Sequence, residues 1–343
     1  MLRVDVSKIN EVFSLINNEE ELYLPIELKG ETQFGKWTPE ADVQFERLSM
    51  AKSAKDFFFT NNEQIATFKS RGKEIQVEGV DSAIEPFVVF GVRGCDVKGL
   101  SILDRLFLKE PVDTFYKRRR DMGIIITLSC TRPEETCFCS VFGIEPMSPG
   151  GDIETWILDD MLYWKALTQK GEALTKKVGK IFEAADDTAI LEWKAEGKKL
   201  FDKLPFKELS LAEFVPKALM EKFNLSEWIE LFPACLSCGT CTFICPTCHC
   251  YDIQDFDTGD EIQRSRCWDS CMYSDFTQMA HGNPRPGQLE RFRQRYMHKL
   301  IYFPDQNDGV YACVGCGRCI QKCPISMNIV KVIKALGGED YVQ

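Results

Sequence analysis

Histidine is scarce in this sequence. The 343 residues include 3 histidines, against 16 cysteines. Histidine is the side chain whose charge changes most readily near neutral pH, so little acid–base chemistry of that kind is available. No Ser-His-Asp or Cys-His arrangement stands out in the sequence, and we therefore predict no catalytic residue. Any metal site is expected to depend on thiolate ligands rather than imidazole.

Long apolar runs and a surplus of positive charge are also missing. The longest apolar stretches, at 86–92 and 123–128, are far shorter than the roughly 18 residues that span a bilayer. Residues 1–15 do not have the pattern of a secretory signal. Lys and Arg number 42 against 52 Asp and Glu, so the formal net charge is −10, which does not favour nucleic-acid binding. We expect a cytoplasmic protein with neither a nucleic-acid nor a membrane partner.

Cysteine is abundant instead, and a reducing cytoplasm makes metal binding or redox chemistry a better reason for it than disulfides. Two runs near the carboxyl end have the spacing C-x2-C-x2-C-x3-C-P, which is typical of bacterial two-cluster ferredoxins. In such runs the fourth cysteine binds the other cluster. The prediction is that cluster 1 takes Cys235, Cys238, Cys241 and Cys323, and that cluster 2 takes Cys313, Cys316, Cys319 and Cys245.

Glycines inside both runs support this interpretation. Gly239, Gly315 and Gly317 allow sharp turns and a close approach of the backbone to the inorganic sulfides. The alternative is a zinc module, but zinc sites usually combine two C-x2-C pairs, often with histidine. Two complete four-cysteine runs that each end in Cys-Pro favour a pair of [4Fe-4S] clusters over zinc.

Four further cysteines lie in the first half of the chain. Cys95 follows an apolar strand at 87–92, and Cys130 follows another at 123–128. If these strands are parallel neighbours, both thiols emerge at the carboxyl edge of one sheet, where α/β folds place their ligands. Cys137 and Cys139 follow in a proline-marked loop. These four cysteines form a candidate third cluster site, and the alternative is a sheet edge that binds no metal.

The order of apolar segments predicts two domains. Strands alternate with helices in the first half, which favours a sheet covered by helices. We predict an α/β N-terminal domain over 1–215. A mainly helical two-cluster ferredoxin-like domain, of the α-helical ferredoxin type, is predicted over 216–343, with a Cys-containing insertion at 246–312. Other predicted elements are a strand at 21–28 and helices at 97–108, 189–203, 207–232 and beyond Pro324, the last ending at Gly337.

The insertion carries four more cysteines and, after them, a basic string. Cys248, Cys250, Cys267 and Cys271 have no ferredoxin spacing. They are either reduced structural thiols packed near the clusters or ligands of an additional metal centre. The basic string RFRQRYMHK at 291–299 is expected to offset the negative charge of thiolate-bound clusters or to dock a partner.

Several strings together resemble one family of iron–sulfur proteins, which comprises the sulfhydrogenase β-subunits and the anaerobic sulfite reductase A subunits. They lie between residues 86 and 336: GVRGCDVKGL (91–100), CFC (137–139), CLSCGTCTFICPTCHCYD (235–252), RCWDSC (266–271), NPRP (283–286) and CVGCGRCIQKCP (313–324). The resemblance implies a non-catalytic, electron-carrying subunit of a cytoplasmic hetero-oligomer. Its implied partners are a flavin subunit that uses NAD(P)H and a catalytic subunit of hydrogenase or sulfite reductase type.

The functional hypothesis is therefore an electron-transfer subunit of an anaerobic oxidoreductase complex. The alternative is a self-sufficient flavin or iron–sulfur reductase that acts on a small substrate. Gly91 and Gly94 follow a strand as in a phosphate loop, but the third glycine and the downstream acidic residue of a dinucleotide site are missing. The absence of that fingerprint counts against the alternative.

Overall fold

The computed structural model describes residues 1–46, 50–72, 74–80 and 83–338. Within these residues the strands are β1 Leu2–Asp5, β2 Glu21–Leu28, β3 Glu31–Lys36, β4 Asn62–Arg71, β5 Glu74–Gly79, β6 Phe87–Val92, β7 Gly123–Leu128, β8 Ile153–Leu158, β9 Met161–Ala166, β10 Glu183–Ala184, β11 Tyr251–Asp257 and β12 Ile262–Trp268. The α-helices are α1 Ile9–Glu19, α2 Lys55–Phe58, α3 Gly94–Phe107, α4 Thr114–Met122, α5 Gln169–Val178, α6 Thr188–Phe201, α7 Leu219–Phe223, α8 Glu227–Leu231, α9 Thr240–Phe243, α10 Gln288–Met297, α11 Phe303–Gln306, α12 Arg318–Gln321 and α13 Ile329–Leu336.

The first half is built on a mixed eight-stranded sheet with the order β10-β1-β9-β8-β7-β6-β2-β3. Its centre is parallel, because β6 pairs in parallel with both β2 and β7, and β7 with β8. Every residue of β6 and β7 is buried, as expected of parallel strands covered on both faces. The predicted mixed α/β organisation of this half is confirmed, including the parallel pairing of the two strands that precede Cys95 and Cys130.

Helices cover both faces of this sheet. On one face α1 inserts Val12, Phe13 and Ile16 against the strands, and Phe13 meets Phe90 edge to face at 5.1 Å between ring centres. On the other face α3 and α4 contribute a second apolar cluster that includes Phe107 and Tyr116. Complete burial of a side chain such as Phe13 contributes about 1.5–3 kcal/mol to folding stability. This packing holds the helices on the sheet and so fixes the position of its carboxyl edge relative to them.

A smaller antiparallel sheet joins the two halves of the sequence. Its order is β11-β12-β4-β5, so a hairpin from the cysteine-rich half pairs with a hairpin from the first half. The contact between β12 and β4 is reinforced by Arg266, which donates at 2.6 Å to Glu63 and also pairs with Asp113. The Cys-containing insertion therefore contains β-structure and completes a sheet that begins with β4 at Asn62, about 190 residues before β11.

One predicted helix is wrong. The segment 207–232 is not one helix, because it contains a short 3-10 turn at Pro216–Ala218 followed by α7 and α8. Proline cannot continue a helix from a preceding turn, since its ring clashes with the carbonyl four residues back. The apolar positions were nevertheless informative, because Leu209, Phe214 and Trp228 are all buried in the core of the second half.

The last helix forms where its apolar spacing predicts it. Asn328 caps α13 by accepting hydrogen bonds from the backbone of Val330 and Lys331. Gly337 directly follows the helix, but the left-handed backbone conformation belongs to Gly338, with a φ of 78°. Among the helices in the described residues, none combines the length and apolar character that a bilayer-spanning segment needs.

Candidate metal centres

Four or five cysteines line each of three cavities. Cavity A contains the first three cysteines of one run and the last cysteine of the other: Cys235, Cys238, Cys241 and Cys323. Cavity B contains the complementary set: Cys245, Cys313, Cys316 and Cys319. The structure thus brings together the same two sets that were predicted for clusters 1 and 2, although the binding of iron by them stays a prediction.

The two cysteine runs have the same local backbone. Ser237 and Gly315, at equivalent positions, have φ values of 53° and 58°, and the next glycines, Gly239 and Gly317, have 73° and 76°. These left-handed residues turn the chain, and α9 and α12 begin directly after Gly239 and Gly317 respectively. A β-carbon on Gly317 would lie 2.5 Å from Thr136 Oγ1, so the close packing of this turn requires glycine.

Cavity A lies at the protein surface. Cys238 is exposed, and Leu236, which also lines cavity A, is 63% exposed. Hydrogen bonds from Thr240 lower the pKa of the Cys238 thiol. The Tyr273 hydroxyl donates to the Cys238 carbonyl at 3.2 Å and orders the exposed rim.

Cavity B is enclosed and carries buried positive charge. Lys299 Nζ lies 3.3 Å from Cys245 Sγ and donates to Thr247 Oγ1 and to the Ala312 carbonyl, both at 2.9 Å. Burial lowers the pKa of Lys299, but the adjacent Cys245 and Cys248 thiolates raise it, and the net direction is upward. The ammonium is therefore held charged against a sulfur that is predicted to bind iron.

Lys299 reaches this position from an irregular turn. It lies in a π-helical segment, His298–Tyr302, between α10 and α11. Such turns are rare and occur frequently at functional sites. One turn earlier, Arg295 donates to the Cys241 carbonyl at 3.1 Å and lines both cavity A and cavity B. The basic string at 291–299 therefore places two buried cations beside the cysteines, which agrees with its expected role in offsetting charge.

Cavity C lies between the two halves of the chain. It is lined by all four cysteines of the first half, Cys95, Cys130, Cys137 and Cys139, together with Cys316 of the second half. Cys95 lies in the first turn of α3, and Cys130 lies just beyond β7. Burial raises the pKa of all four first-half thiols, that of Cys137 to about 12.

Two buried arginines also line cavity C. Arg93 donates to the carbonyl oxygens of Leu128, Ser129 and Phe45. Arg318 forms a two-point ion pair with Asp96 at 2.6 and 2.8 Å and also lines cavity B. Sequence reasoning did not identify Arg93, Lys299 or Arg318 individually. The sequence did contain a clue for two of them. Arg93 and Arg318 lie within cysteine-bearing strings, where a basic residue is less easily explained as part of a solvent-exposed helix face.

Three of the remaining four cysteines lie near cavities A and B. Cys248 lies beside Cys245 and within 3.8 Å of Arg295 Nη1. Cys250 and Cys271 lie in mutual hydrogen-bonding contact, which lowers the pKa of Cys250 and raises that of Cys271. Cys267 lies in β12, opposite Asp252 of β11. The positions of Cys248, Cys250 and Cys271 agree with thiols packed around the predicted clusters.

The donor sets fit iron–sulfur clusters. Among the described residues, no three His, Cys, Asp or Glu side chains converge on a point suited to a single metal ion. In a [4Fe-4S] cluster each cysteine binds a different iron, so four thiols spread around a cavity are the arrangement required. The buried cations at Arg295, Lys299 and Arg318 offset the negative charge that such a cluster would bring with its thiolates.

Comparison with known proteins agrees with this chemistry. The 4Fe-4S dicluster domain family matches residues 234–327. Sulfhydrogenase 2 subunit beta of Pyrococcus furiosus is 32% identical over 329 residues, which cover 94% of this chain and 94% of that protein. No solved structure matches the chain. Relatedness of this extent, with two [4Fe-4S] clusters indicated by the carboxyl-terminal domain, shows that the chain belongs to the sulfhydrogenase β-subunit family of iron–sulfur proteins.

Proposed function

We propose that this chain relays electrons between a flavin subunit that uses NAD(P)H and a catalytic redox subunit of hydrogenase or sulfite reductase type. The observation that carries the proposal is the pair of adjoining four-cysteine cavities, A and B, with Arg295 between them. Iron–sulfur clusters accept and release single electrons when bound. Two such centres side by side suit conduction through a protein better than the chemical conversion of a substrate.

The chain's own residues have distinct tasks in this proposal. Cys235, Cys238, Cys241 and Cys323 would hold cluster 1, and Cys313, Cys316, Cys319 and Cys245 would hold cluster 2, within a domain of the α-helical ferredoxin type. Lys299 and Arg295 supply fixed positive charge. The apolar side chains of Tyr296, Met272 and Ile329 line the cavities and exclude water, which strengthens these electrostatic interactions.

The exposed rim of cavity A supports exchange of electrons with another protein. Leu236 and Tyr273 present apolar surface next to Cys238, and exposed apolar patches commonly mark interaction sites. The related Pyrococcus protein is by name one subunit of a sulfhydrogenase. We propose by this likeness that the present chain works in the cytoplasm as part of a hetero-oligomer.

The first test is metal analysis of the chain purified without oxygen. The double variant Cys235→Ala/Cys241→Ala removes two ligands of cluster 1 and is expected to lose about four irons and their acid-labile sulfide. Cys267→Ala, which changes a cysteine in β12, serves as the control and is expected to keep all its iron. Equal iron in both variants would contradict the ligand assignment.

The second test separates a relay from a self-sufficient reductase. The chain alone is expected to contain no flavin and to oxidise no NAD(P)H, while its clusters are reduced by dithionite and reoxidised by an added electron acceptor. Bound flavin, or turnover of NAD(P)H with a small substrate by the isolated chain, would overturn the proposed relay.

A further inference from the structure

The four cysteines of the first half are brought together by strand register. In the parallel pair, Val92 of β6 lies beside Thr127 of β7. Cys95 and Cys130 each come three residues later, so they leave the sheet at the same level. This is the carboxyl edge of the sheet, where open α/β folds bind their ligands.

The loop that carries Cys137 and Cys139 is held over this edge by backbone hydrogen bonds. The Cys130 amide donates to the Pro146 carbonyl at 3.1 Å, which closes the base of the loop. The Phe138 amide donates to the Gly315 carbonyl at 2.8 Å, which ties the loop to the second cysteine run. Cys137 and Cys139 flank Phe138, so this bond fixes both thiols against cavity C.

The charges around cavity C suit a bound anionic cluster. Arg93 and Arg318 are 1% and 2% exposed, and both line the cavity. Burying two guanidinium groups beside a set of neutral thiols is costly unless negative charge is present. Asp96 provides one carboxylate, which is engaged by Arg318. Four thiolates around iron would supply further negative charge at the cavity itself.

We propose that cavity C holds a third [4Fe-4S] cluster, bound by Cys95, Cys130, Cys137 and Cys139. All four of these cysteines lie outside the region, 234–327, that the dicluster domain covers. The site gives the carboxyl edge of the α/β sheet a redox role.

The third site continues the path defined by the other two. Cys316 lines both cavity B and cavity C, and Arg318 lines both as well. Arg295 stands in the same way between cavities A and B. The three sites therefore follow one another in the order A, B, C, and electrons would pass between the exposed Cys238 and the first half by way of cavity B. This electron path, unlike the site itself, rests on the proposed relay function.

The experiment is iron and sulfide quantification on the full chain after anaerobic purification, with Mössbauer spectra of an 57Fe-grown sample. About twelve irons per chain are expected, against about eight if only cavities A and B are loaded. The double variant Cys130→Ala/Cys137→Ala is expected to lose about four irons, and Cys267→Ala to lose none. Far-UV circular dichroism and the remaining cluster spectra of the double variant verify that the rest of the chain is folded.

The outcomes separate this proposal from the one before it. A chain with about eight irons, whose Cys130→Ala/Cys137→Ala variant keeps them all, would overturn the third cluster and leave the two-cluster relay intact. A stoichiometric metal other than iron at this site would overturn it too. Retention of all iron by Cys235→Ala/Cys241→Ala would instead contradict the assignment of cluster 1. If the Cys130→Ala/Cys137→Ala variant does not fold, Cys139→Ser replaces it, with loss of one or more irons expected from cavity C and none from the others.

Discussion

At the scale of single residues, the chemistry depends on which cations face the sulfurs. The sequence indicated that the basic string at 291–299 would offset cluster charge, but not which of its members would do so. Arg295 and Lys299 are buried beside cysteines, whereas Arg291 donates to loop carbonyls and Arg293 lies over the Phe223 ring. Which basic side chains face the cysteines depends on the rotational orientation of α10 and on the π-helical turn that follows it. Neither can be predicted from the spacing of the charges.

Lys299→Met is expected to lower the reduction potential of the cluster that Cys245 helps to bind. The variant removes a buried positive charge 3.3 Å from that sulfur, so an added electron becomes less favourable. A hydrogen bond to a charged group contributes roughly 1.5–3 kcal/mol, which corresponds to a shift on the order of 100 mV for one electron. Potentiometric titration followed by EPR measures it.

The matched control is Lys222→Met. Lys222 is as deeply buried as Lys299, but it donates to the carbonyl oxygen of Leu336 rather than to a cysteine. Its replacement is expected to leave the cluster potentials unchanged. An unshifted potential in Lys299→Met, with full iron content, would show that this ammonium does not tune the cluster.

At the scale of elements, the sequence was most informative where spacing and backbone conformation coincide. The cysteine runs and their glycines predicted tight turns, and Gly239, Gly315 and Gly317 all adopt left-handed conformations. The strands at 87–92 and 123–128 appear with the predicted bounds. The segment 207–232 was misjudged because apolar spacing reports burial, and buried turns such as that around Phe214 show similar spacing.

Gly317→Ala and Gly309→Ala form a matched pair for testing the turn in the second run. Both glycines have a φ of 76°, so an alanine incurs the same left-handed cost of about 1–2 kcal/mol at either site. At Gly309 nothing lies within 4 Å of the added β-carbon, whereas at Gly317 it would lie 2.5 Å from Thr136 Oγ1 and 2.6 Å from the Thr136 carbonyl oxygen.

We therefore expect Gly317→Ala to displace the loop that leads to Cys137. It should lower the thermal unfolding midpoint further than Gly309→Ala and reduce the iron content, which Gly309→Ala should leave intact. Differential scanning calorimetry and iron assay under anaerobic conditions measure both effects. Equal behaviour of the two variants would mean that the turn tolerates a side chain.

At the scale of the whole molecule, the two halves are joined by contacts that the sequence could not reveal. Asp96 and Arg318 are separated by 222 positions, and both are almost fully buried. A pairing at that separation depends on how the sheet edge docks on the second cysteine run. Composition and motif spacing describe each half but contain no information about this docking.

Asp96→Asn is expected to destabilise the junction strongly. It leaves the Arg318 guanidinium buried without its carboxylate, and removal of one partner from a buried pair costs about 3–5 kcal/mol. Asp308→Asn is the control, since Asp308 also pairs across the halves, with Arg105, but its side chain is 89% exposed. Such exposed pairs contribute roughly 0–1 kcal/mol. In the iron-loaded protein, Asp96→Asn should therefore lower the thermal unfolding midpoint much further than Asp308→Asn. Similar midpoints would contradict the importance of the buried pair.

The shared four-stranded sheet also constrains how the protein is made. The β4–β5 hairpin is synthesised about 170 residues before β11, and a lone two-stranded hairpin is only marginally stable. The edge of β4 therefore stays unpaired until β12 has been synthesised. The four-stranded sheet can therefore form only after both hairpins have been synthesised. Dividing the chain between β5 and β11 would yield two fragments, each with an unpaired strand edge that is prone to aggregation.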